Sequence, residues 1–457
     1  MTSKRLDWEH RPLPELLRLA WPITVSVLSY AVMTLVDTLF VGRLGPSALA
    51  GVGLAGTACF ATLGFALGML RATKVMVSQE FGAHRHGSLG AHINSSMVLS
   101  FGLALVVLAA AWCIAPWLTV LSASDAAGAA ANDYFRVRML SAPALLAYGT
   151  LRESRFGVGD SRSPMWASLC GNAVNIALDY LFIFELEWGV EGAAYATNAG
   201  HVVEALIIAV VHYRSRFASG TVQPRIIFEL VRLGFPLGLQ FVLEIGAFAM
   251  LAAMISRISD AQMAAHQIAI QVIHLGFLPA YAVGEAASVM VGQAVGADQD
   301  RRVRSIAHLA LRVVVAYTAA AGIVLGTAGR AIASGFTGDV QVIEISAALL
   351  LVGGLFQVGD GANILARSVL RGTGDVRWPA MVSVAIAWGC TPPLMWGLGY
   401  LLGLGALGGW LGLLAEIVLG AAILWWRVER EGWKPAACAS RKRETGKKER
   451  QPVLSPV

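Results

Sequence analysis

Apolar runs long enough to cross a lipid bilayer recur along nearly the whole chain. Because an α-helix rises 1.5 Å per residue, about 20 apolar residues span the hydrocarbon core. No long polar segment interrupts these runs before the C-terminal tail. The pattern predicts an all-α integral membrane protein with twelve transmembrane helices, at 15–42, 47–73, 90–118, 131–152, 163–185, 190–212, 231–256, 262–290, 305–329, 343–367, 378–401 and 404–427.

Composition supports the same class of protein. Of the 457 residues, 56% are hydrophobic and 14% are charged, whereas a soluble domain carries about 25% charged residues. The five cysteines form no CxxC pair, so we expect neither a disulfide framework nor a metal framework. The polar N-terminus lacks the pattern of a cleavable signal peptide, so we expect the first helix to serve as the insertion signal.

The positive charges are distributed unevenly between alternate loops. With the N-terminus placed inside, 30 of the 35 Lys and Arg residues fall on the inner side or in the tail. The outer side receives Arg43, Arg136, Arg138, Arg257 and Arg330. Since cytoplasmic loops are enriched in Lys and Arg, this bias predicts cytoplasmic N- and C-termini in a plasma (inner) membrane. We interpret the basic tail as solvated and disordered, near anionic headgroups, without a role in nucleic-acid binding.

The chain repeats itself at an offset of 214 or 215 residues. The matching pairs are Arg18 and Arg232, Pro22 and Pro236, Gln79 and Gln293, Gly82 and Gly296, Arg152 and Arg367, Gly159 and Gly374, Asp160 and Asp375, and Pro164 and Pro379. Since six helices return the chain to its starting side, the repeats run parallel and predict two pseudo-symmetric lobes. The predicted domains are a cytoplasmic N-terminus (1–14), an N-lobe (15–212), a cytoplasmic linker (213–230), a C-lobe (231–427) and a basic cytoplasmic tail (428–457).

Acidic residues inside membrane helices are candidates for function because each costs free energy to insert. Asp37, Asp179 and Thr197 each lie six residues from a charged helix end, which places them roughly 9 Å below the outer surface. Asn175 lies four residues before Asp179, on the same helix face. Two carboxylates, an amide and a hydroxyl at one depth would suit a proton or a hard cation such as Na⁺. We interpret these four residues as an ion-coupling site; the alternative is a buried polar network that fixes helix packing.

A second group of acids lies in the C-terminal half. Glu244 and Asp360 are interpreted as cavity residues that bind cationic substrate or assist coupling, the alternative being packing or a water-filled vestibule. Glu204, Glu285 and Glu416 lack a partner at matching depth, which favours structural roles. His201, His266 and His274 are interpreted as hydrogen-bonded helix residues. No phosphate loop, catalytic triad or zinc spacing occurs in the sequence, so we expect no enzymatic activity and no cofactor beyond the coupling ion.

Several stretches in order and spacing resemble the multidrug and toxic compound extrusion (MATE) family, from about Pro12 to Arg427. They are LVDTLFVGRLG at 35–45, SQEFGA at 78–83, GDSRSP at 159–164, NIALDYLFIF at 175–184, FPLGLQFVLEIGAF at 235–248, AAHQIAI at 264–270, VGQAVGA at 291–297 and FQVGDGANILARSVLRGTGD at 356–375. The resemblance implies a secondary transporter that exports amphipathic, often cationic compounds in exchange for inward Na⁺ or H⁺.

The family's acidic positions match residues of this chain. The resemblance assigns Asp37, Asn175, Asp179 and Thr197 to the N-lobe ion site, and Glu244 and Asp360 to the C-lobe carboxylates. The chain departs at Phe356, where some members have a tyrosine oxygen, and this favours the N-lobe for coupling.

The expected partners are small amphipathic or cationic molecules and the lipid bilayer, with no nucleic acid, and the expected state is a monomer. The alternatives within the superfamily are a flippase for a lipid-linked substrate and an exporter of one metabolite.

Overall fold

The computed structural model describes residues 10–122, 124–215 and 217–445. The predictions for residues 1–9 and 446–457 lie outside the described residues. The described chain is helical, with α1 Pro12–Gly42, α2 Pro46–Gly82, α3 His86–Leu121, α4 Asp125–Met139, α5 Ala142–Gly157, α6 Arg162–Tyr180, α7 Gly189–Tyr213, α8 Pro224–Ser256, α9 Asp260–Gly296, α10 Asp300–Ser334, α11 Val340–Gly372, α12 Arg377–Leu394, α13 Ala406–Glu429 and α14 Lys434–Thr445.

Eleven helical segments within the described residues are long and apolar enough to cross a membrane. The predicted span 131–152 is instead divided between α4 and α5, which are 15 and 16 residues long. The break lies at Leu140 and Ser141, and Pro143 is the second residue of α5. Because proline has no backbone N–H, it cannot continue the hydrogen bonds of α4, whereas it is well tolerated in a first helical turn.

The chain forms two compact units. The first unit contains Leu17–Val77 and Arg85–Phe248, and the second contains the described residues up to Leu16, Ser78–His84 and those from Ala249 onward. The division falls inside α8. The core of the first unit includes Phe135, Met139, Leu146 and Ile183. The core of the second includes Leu251, Leu349, Met395 and Trp410.

Backbone irregularities recur at the offset of the sequence repeat or one residue from it. α6 continues as a π-helical turn at Leu181–Glu185, and α12 does so at Met395–Leu401. Positive φ angles recur at His84 (57°) and Asp298 (60°), at Gly159 (83°) and Gly374 (87°), and at Gly189 (57°) and Gly405 (59°). Since left-handed backbone is uncommon, matching positions in both halves indicate that the repeat extends to local structure.

The expectation of a disordered tail is wrong for residues 434–445. Trp433 is fully buried just before α14, and the Ser440 hydroxyl donates to Gln79 Oε1 at 2.5 Å. Arg441 pairs with Asp300 at 2.8 Å. Ala437, four residues after Trp433, is also buried, and burying both side chains favours a docked helix over a solvated one.

Candidate functional site

Two glycines bring α6 and α7 into close contact in the first unit. A Cβ atom on Gly171 would lie 2.8 Å from the Gly200 carbonyl oxygen, and one on Gly200 would lie 2.9 Å from the Gly171 carbonyl oxygen. The two backbones therefore touch where any larger residue would separate them. One turn further along, Asn175 Nδ2 of α6 donates to Thr197 Oγ1 of α7 at 3.4 Å.

The four predicted N-lobe residues come together around this crossing. Asn175 and Asp179 are fully buried and Thr197 is 4% exposed, whereas Asp37 of α1 is half-buried. The carboxyl groups of Asp37 and Asp179 lie within hydrogen-bonding reach of each other, and the Asn175 amide adjoins both. The predicted convergence of these side chains is therefore present in the structure.

The cluster is rich in acceptors and poor in donors. Asp37 Oδ1, Asn175 Oδ1 and both Asp179 carboxyl oxygens are buried without a hydrogen-bond donor. Thr197 directs its hydroxyl proton to the Ala193 carbonyl oxygen at 2.8 Å. Because unpaired buried acceptors are costly, the cluster favours a proton shared between the carboxylates or a cation held by the four side chains. Nowhere among the described residues, this cluster included, is a group of three or more His, Cys, Asp or Glu side chains arranged to hold a metal ion.

A buried hydrogen-bonded chain lies beside this cluster and was missed from sequence. Arg138 Nη2 contacts His201 Nε2 at 2.8 Å, and His201 Nδ1 contacts Glu204 Oε2 at 2.9 Å. Arg138 Nη1 also donates to Ser141 Oγ at 2.7 Å, at the break between α4 and α5. The charge bias counts Arg138 on the outer side of the membrane, within the predicted span 131–152, and the structure buries its side chain to 7% exposure. The sequence does contain a pattern that indicates this contact. His201 and Glu204 are spaced i, i+3 on α7, and they follow Thr197 by four and seven residues, so the three side chains share one face of the helix.

The two predicted C-lobe acids have different environments. Glu244 lies on α8 in the first unit, half-buried, and accepts from Gln240 Nε2 at 2.9 Å. Asp360 lies on α11 in the second unit and is 7% exposed. One turn before it, Phe356 packs against Trp410 with ring centroids 6.4 Å apart. Trp410 Nε1 donates to His266 Nδ1 at 3.1 Å, so that ring nitrogen is an acceptor.

The acids interpreted as structural have polar partners inside the protein. Glu285 of α9 pairs with Arg371 of α11 at 2.5 Å, and Glu416 of α13 accepts from the Thr391 hydroxyl. A further buried pair, Lys74 with Glu153 at 3.6 Å, joins α2 to α5. Removing one partner of such a pair leaves an uncompensated buried charge, so these contacts hold neighbouring helices together.

The repeat-related loop aspartates Asp160 and Asp375 are held differently. Burial favours a higher pKa for Asp160, but hydrogen bonds from Ser163 and the Arg155 ion pair outweigh it and hold the pKa below its usual 3.8. At Asp375, burial raises the pKa even though Arg427 donates to the carboxylate at 2.6 Å. The arginine comes from the preceding helix in one half and from α13 in the other.

The membrane-spanning helices, the internal repeat and the buried acidic cluster together define a polytopic membrane protein with an intramembrane ionisable site. The MatE family model matches residues 22–181 and 236–396, one segment in each half. The chain belongs to this family.

Relatives and solved structures agree with this assignment. The probable multidrug resistance protein NorM of Burkholderia pseudomallei is 30% identical over 91% of this chain and 92% of that protein. The crystal structure of the eukaryotic MATE transporter AtDTX14 superposes with a TM-score of 0.87 at 18% identity, covering 96% of this chain and 100% of that chain. The outward-facing structure of a multidrug resistance MATE family transporter of the MOP superfamily superposes with a TM-score of 0.84 at 23% identity. The match covers 92% of this chain and 96% of that chain.

Proposed function

We propose that this protein is a secondary active multidrug exporter that exchanges amphipathic or cationic compounds for inward-moving Na⁺ or H⁺. The observation that carries the proposal is the acceptor-rich cluster of Asp37, Asn175, Asp179 and Thr197. Membership of the MatE family and the similarity to proteins named for multidrug resistance support the direction of transport and the class of substrate.

The cluster supplies the coupling step. Two carboxylates close together in a poorly solvated site cannot both remain ionised cheaply, so they titrate as one unit. A proton between them or a Na⁺ among the four oxygen ligands removes the repulsion. Ion loading from outside then favours a state in which α1 repacks near Pro22 and substrate leaves. By reciprocity, substrate weakens ion binding by the same factor as the ion weakens substrate binding.

The remaining parts of the proposal rest on the sequence. The predicted arrangement of twelve spans in two six-helix lobes supports alternating access by lobe rocking, and the charge bias supports cytoplasmic termini in the inner membrane. Glu244 and Asp360 bind the cationic part of a substrate or assist ion entry. Glu244 on α8 and Asp360 on α11 each supply a negative charge, which suits a cationic drug better than an anionic one.

Export by the purified full-length protein in liposomes tests this proposal. Ethidium and a panel of cationic dyes are loaded, and a Na⁺ gradient alone or a proton gradient alone is imposed. We expect accelerated export under one of the two gradients, and slower export when Glu244→Gln and Asp360→Asn are combined. Dye movement that ignores both gradients would contradict coupled export. Unaltered transport by the double variant would contradict the role of the C-lobe acids.

A further inference from the structure

The fixed positive charge of Arg138, a residue with no assigned role, lies beside the proposed ion site. Asp37 is within electrostatic reach of both Arg138 and His201. His201 follows Thr197 by four residues on α7, so the two side chains share a face of that helix. Arg138, His201 and Glu204 are 7%, 5% and 4% exposed, so water screens their charges only weakly.

The protonation state of His201 follows from the geometry of its two hydrogen bonds. Arginine can only donate hydrogen bonds, so the His201 Nε2 atom facing Arg138 must be an acceptor. The ring is therefore neutral, and its proton lies on Nδ1, from which it donates to Glu204 Oε2. A doubly protonated ring would direct a second N–H at the guanidinium and break this contact. The neutral histidine thus joins a cation to a carboxylate and fixes where both charges lie.

The other groups near this chain are neutral in their ordinary forms. Those that share its electrostatic environment are Tyr30 of α1, Cys59 of α2, Tyr134 of α4 and Tyr148 of α5. Phenols and thiols are uncharged near pH 7. Among these neighbouring groups, the charged ones are therefore Arg138 and Glu204, together with Asp37 and Asp179.

We propose that Arg138 sets the affinity of the ion site for its coupling cation: its fixed charge, held in place by His201 and Glu204, determines how tightly the Asp37–Asp179 pair binds Na⁺ or H⁺. This inference rests on the proposed ion-coupled transport. Arg138 repels an incoming cation and stabilises the ionised carboxylates, which favours ion release. Glu204 offsets part of that field. The two residues therefore act on cation affinity with opposite signs.

The opposite effects of Arg138 and Glu204 on cation affinity distinguish this role from a packing role. If the chain only fastened α4 to α7, removing either end would impair the protein in the same direction. At an effective dielectric constant of about 20, a unit charge about 10 Å away changes cation affinity by about tenfold. We therefore expect Arg138→Gln to lower the half-saturating cation concentration about tenfold, and Glu204→Gln to raise it by a similar factor.

The test uses the full-length protein in liposomes, with ethidium export measured against Na⁺ concentration at fixed pH and against pH without Na⁺. Opposite shifts for the Arg138→Gln and Glu204→Gln variants support the proposal, whereas shifts in the same direction, or none, overturn it. Arg138→Lys keeps the charge, so its half-saturating concentration should fall between those of the wild type and Arg138→Gln. His201→Gln can still accept from Arg138 and donate to Glu204, so it should retain more of the wild-type profile than His201→Leu.

Two further outcomes separate this inference from the function on which it rests. If Arg138→Gln does not fold, Glu204→Gln must still weaken cation binding, and Arg138→Lys must bind the cation more tightly than the wild type does. A Glu204→Gln protein with tighter cation binding overturns the inference. If the wild type shows no gradient dependence, the proposed function itself fails. If the wild type is coupled but the two neutralising variants do not shift apart, only the role of Arg138 fails.

Discussion

Replacing Asp179 with asparagine should stabilise the protein while weakening its response to the coupling ion. Asp179 is fully buried, and neither of its carboxyl oxygens meets a donor. The Asp37 carboxylate lies within hydrogen-bonding reach. An asparagine at position 179 removes one of two like charges and supplies an N–H₂ group that can donate to Asp37.

The size of the effect follows from the spacing of the two groups. Two unit charges about 4 Å apart at an effective dielectric constant of about 20 repel by about 4 kcal/mol. A bound proton or Na⁺ relieves part of that repulsion in the wild type. A hydrogen bond to the remaining carboxylate adds about 1.5–3 kcal/mol of its own. We therefore expect Asp179→Asn to raise the free energy of unfolding by about 2–4 kcal/mol when the coupling ion is scarce.

Thermal unfolding in detergent measures this change. The wild type and the variant are compared across Na⁺ concentrations at fixed pH and across pH without Na⁺. An ion present at 100 times its dissociation constant stabilises the wild type by about 2.7 kcal/mol, so the advantage of the variant should shrink as the ion is added. Glu285→Gln is the matched control. It is also an acid-to-amide change at a buried site, but it removes the buried counter-charge of Arg371 and should destabilise by about 3–5 kcal/mol.

Two results would refute this reasoning. An Asp179→Asn protein that unfolds more readily than the wild type under every ionic condition would show that the carboxyls stabilise each other. A wild-type stability that responds to neither Na⁺ nor pH would show that the acceptor cluster binds no ion.

Three further changes test the surroundings of the site. Gly171→Val places a Cβ 2.4 Å from Glu204 Cγ, so we expect a loss of about 2–3 kcal/mol in thermal unfolding and loss of transport. Asp160→Asn should cost about 1–3 kcal/mol at pH 7. Because the folded pKa of Asp160 lies below 3.8, its contribution is complete above that pH and is lost below it, so the two unfolding curves should converge as the pH falls under about 4. Trp433→Ala should speed tryptic cleavage within α14, since Trp433 is fully buried, whereas Trp426→Ala, at a residue 57% exposed, should not.

Much of the candidate site could be predicted because helix geometry is regular. The six-residue spacing of Asp37, Asp179 and Thr197 from charged helix ends predicts their depth, and the i, i+4 spacing predicts that Asn175 and Asp179 share a face. What the sequence does not show is how close two helices come. That distance depends on the contact between Gly171 and Gly200. Because small residues are common throughout these helices, the sequence does not show which of them form the contact.

Arg138 and α14 show what the sequence did not reveal. Charge bias places Arg138 on the outer side of the membrane, but it assigns residues to sides of the membrane and not to partners. The break before Pro143 bends the chain locally, and Arg138 bonds Ser141 and His201 instead of facing water. In the tail, the basic residues dominated the interpretation, although Trp433 and Ala437 are both fully buried.

The central claim is that the Asp37–Asp179 cluster couples an ion to export, and gradient-driven transport by Asp37→Asn tests it most directly. Purified wild type and variant are reconstituted at equal density, and ethidium export against its own concentration gradient is measured under an imposed Na⁺ or proton gradient. We predict that Asp37→Asn elutes as a folded protein and inserts normally, yet moves ethidium only down its gradient. An Asp37→Asn protein that still exports ethidium uphill at the wild-type rate would contradict the account.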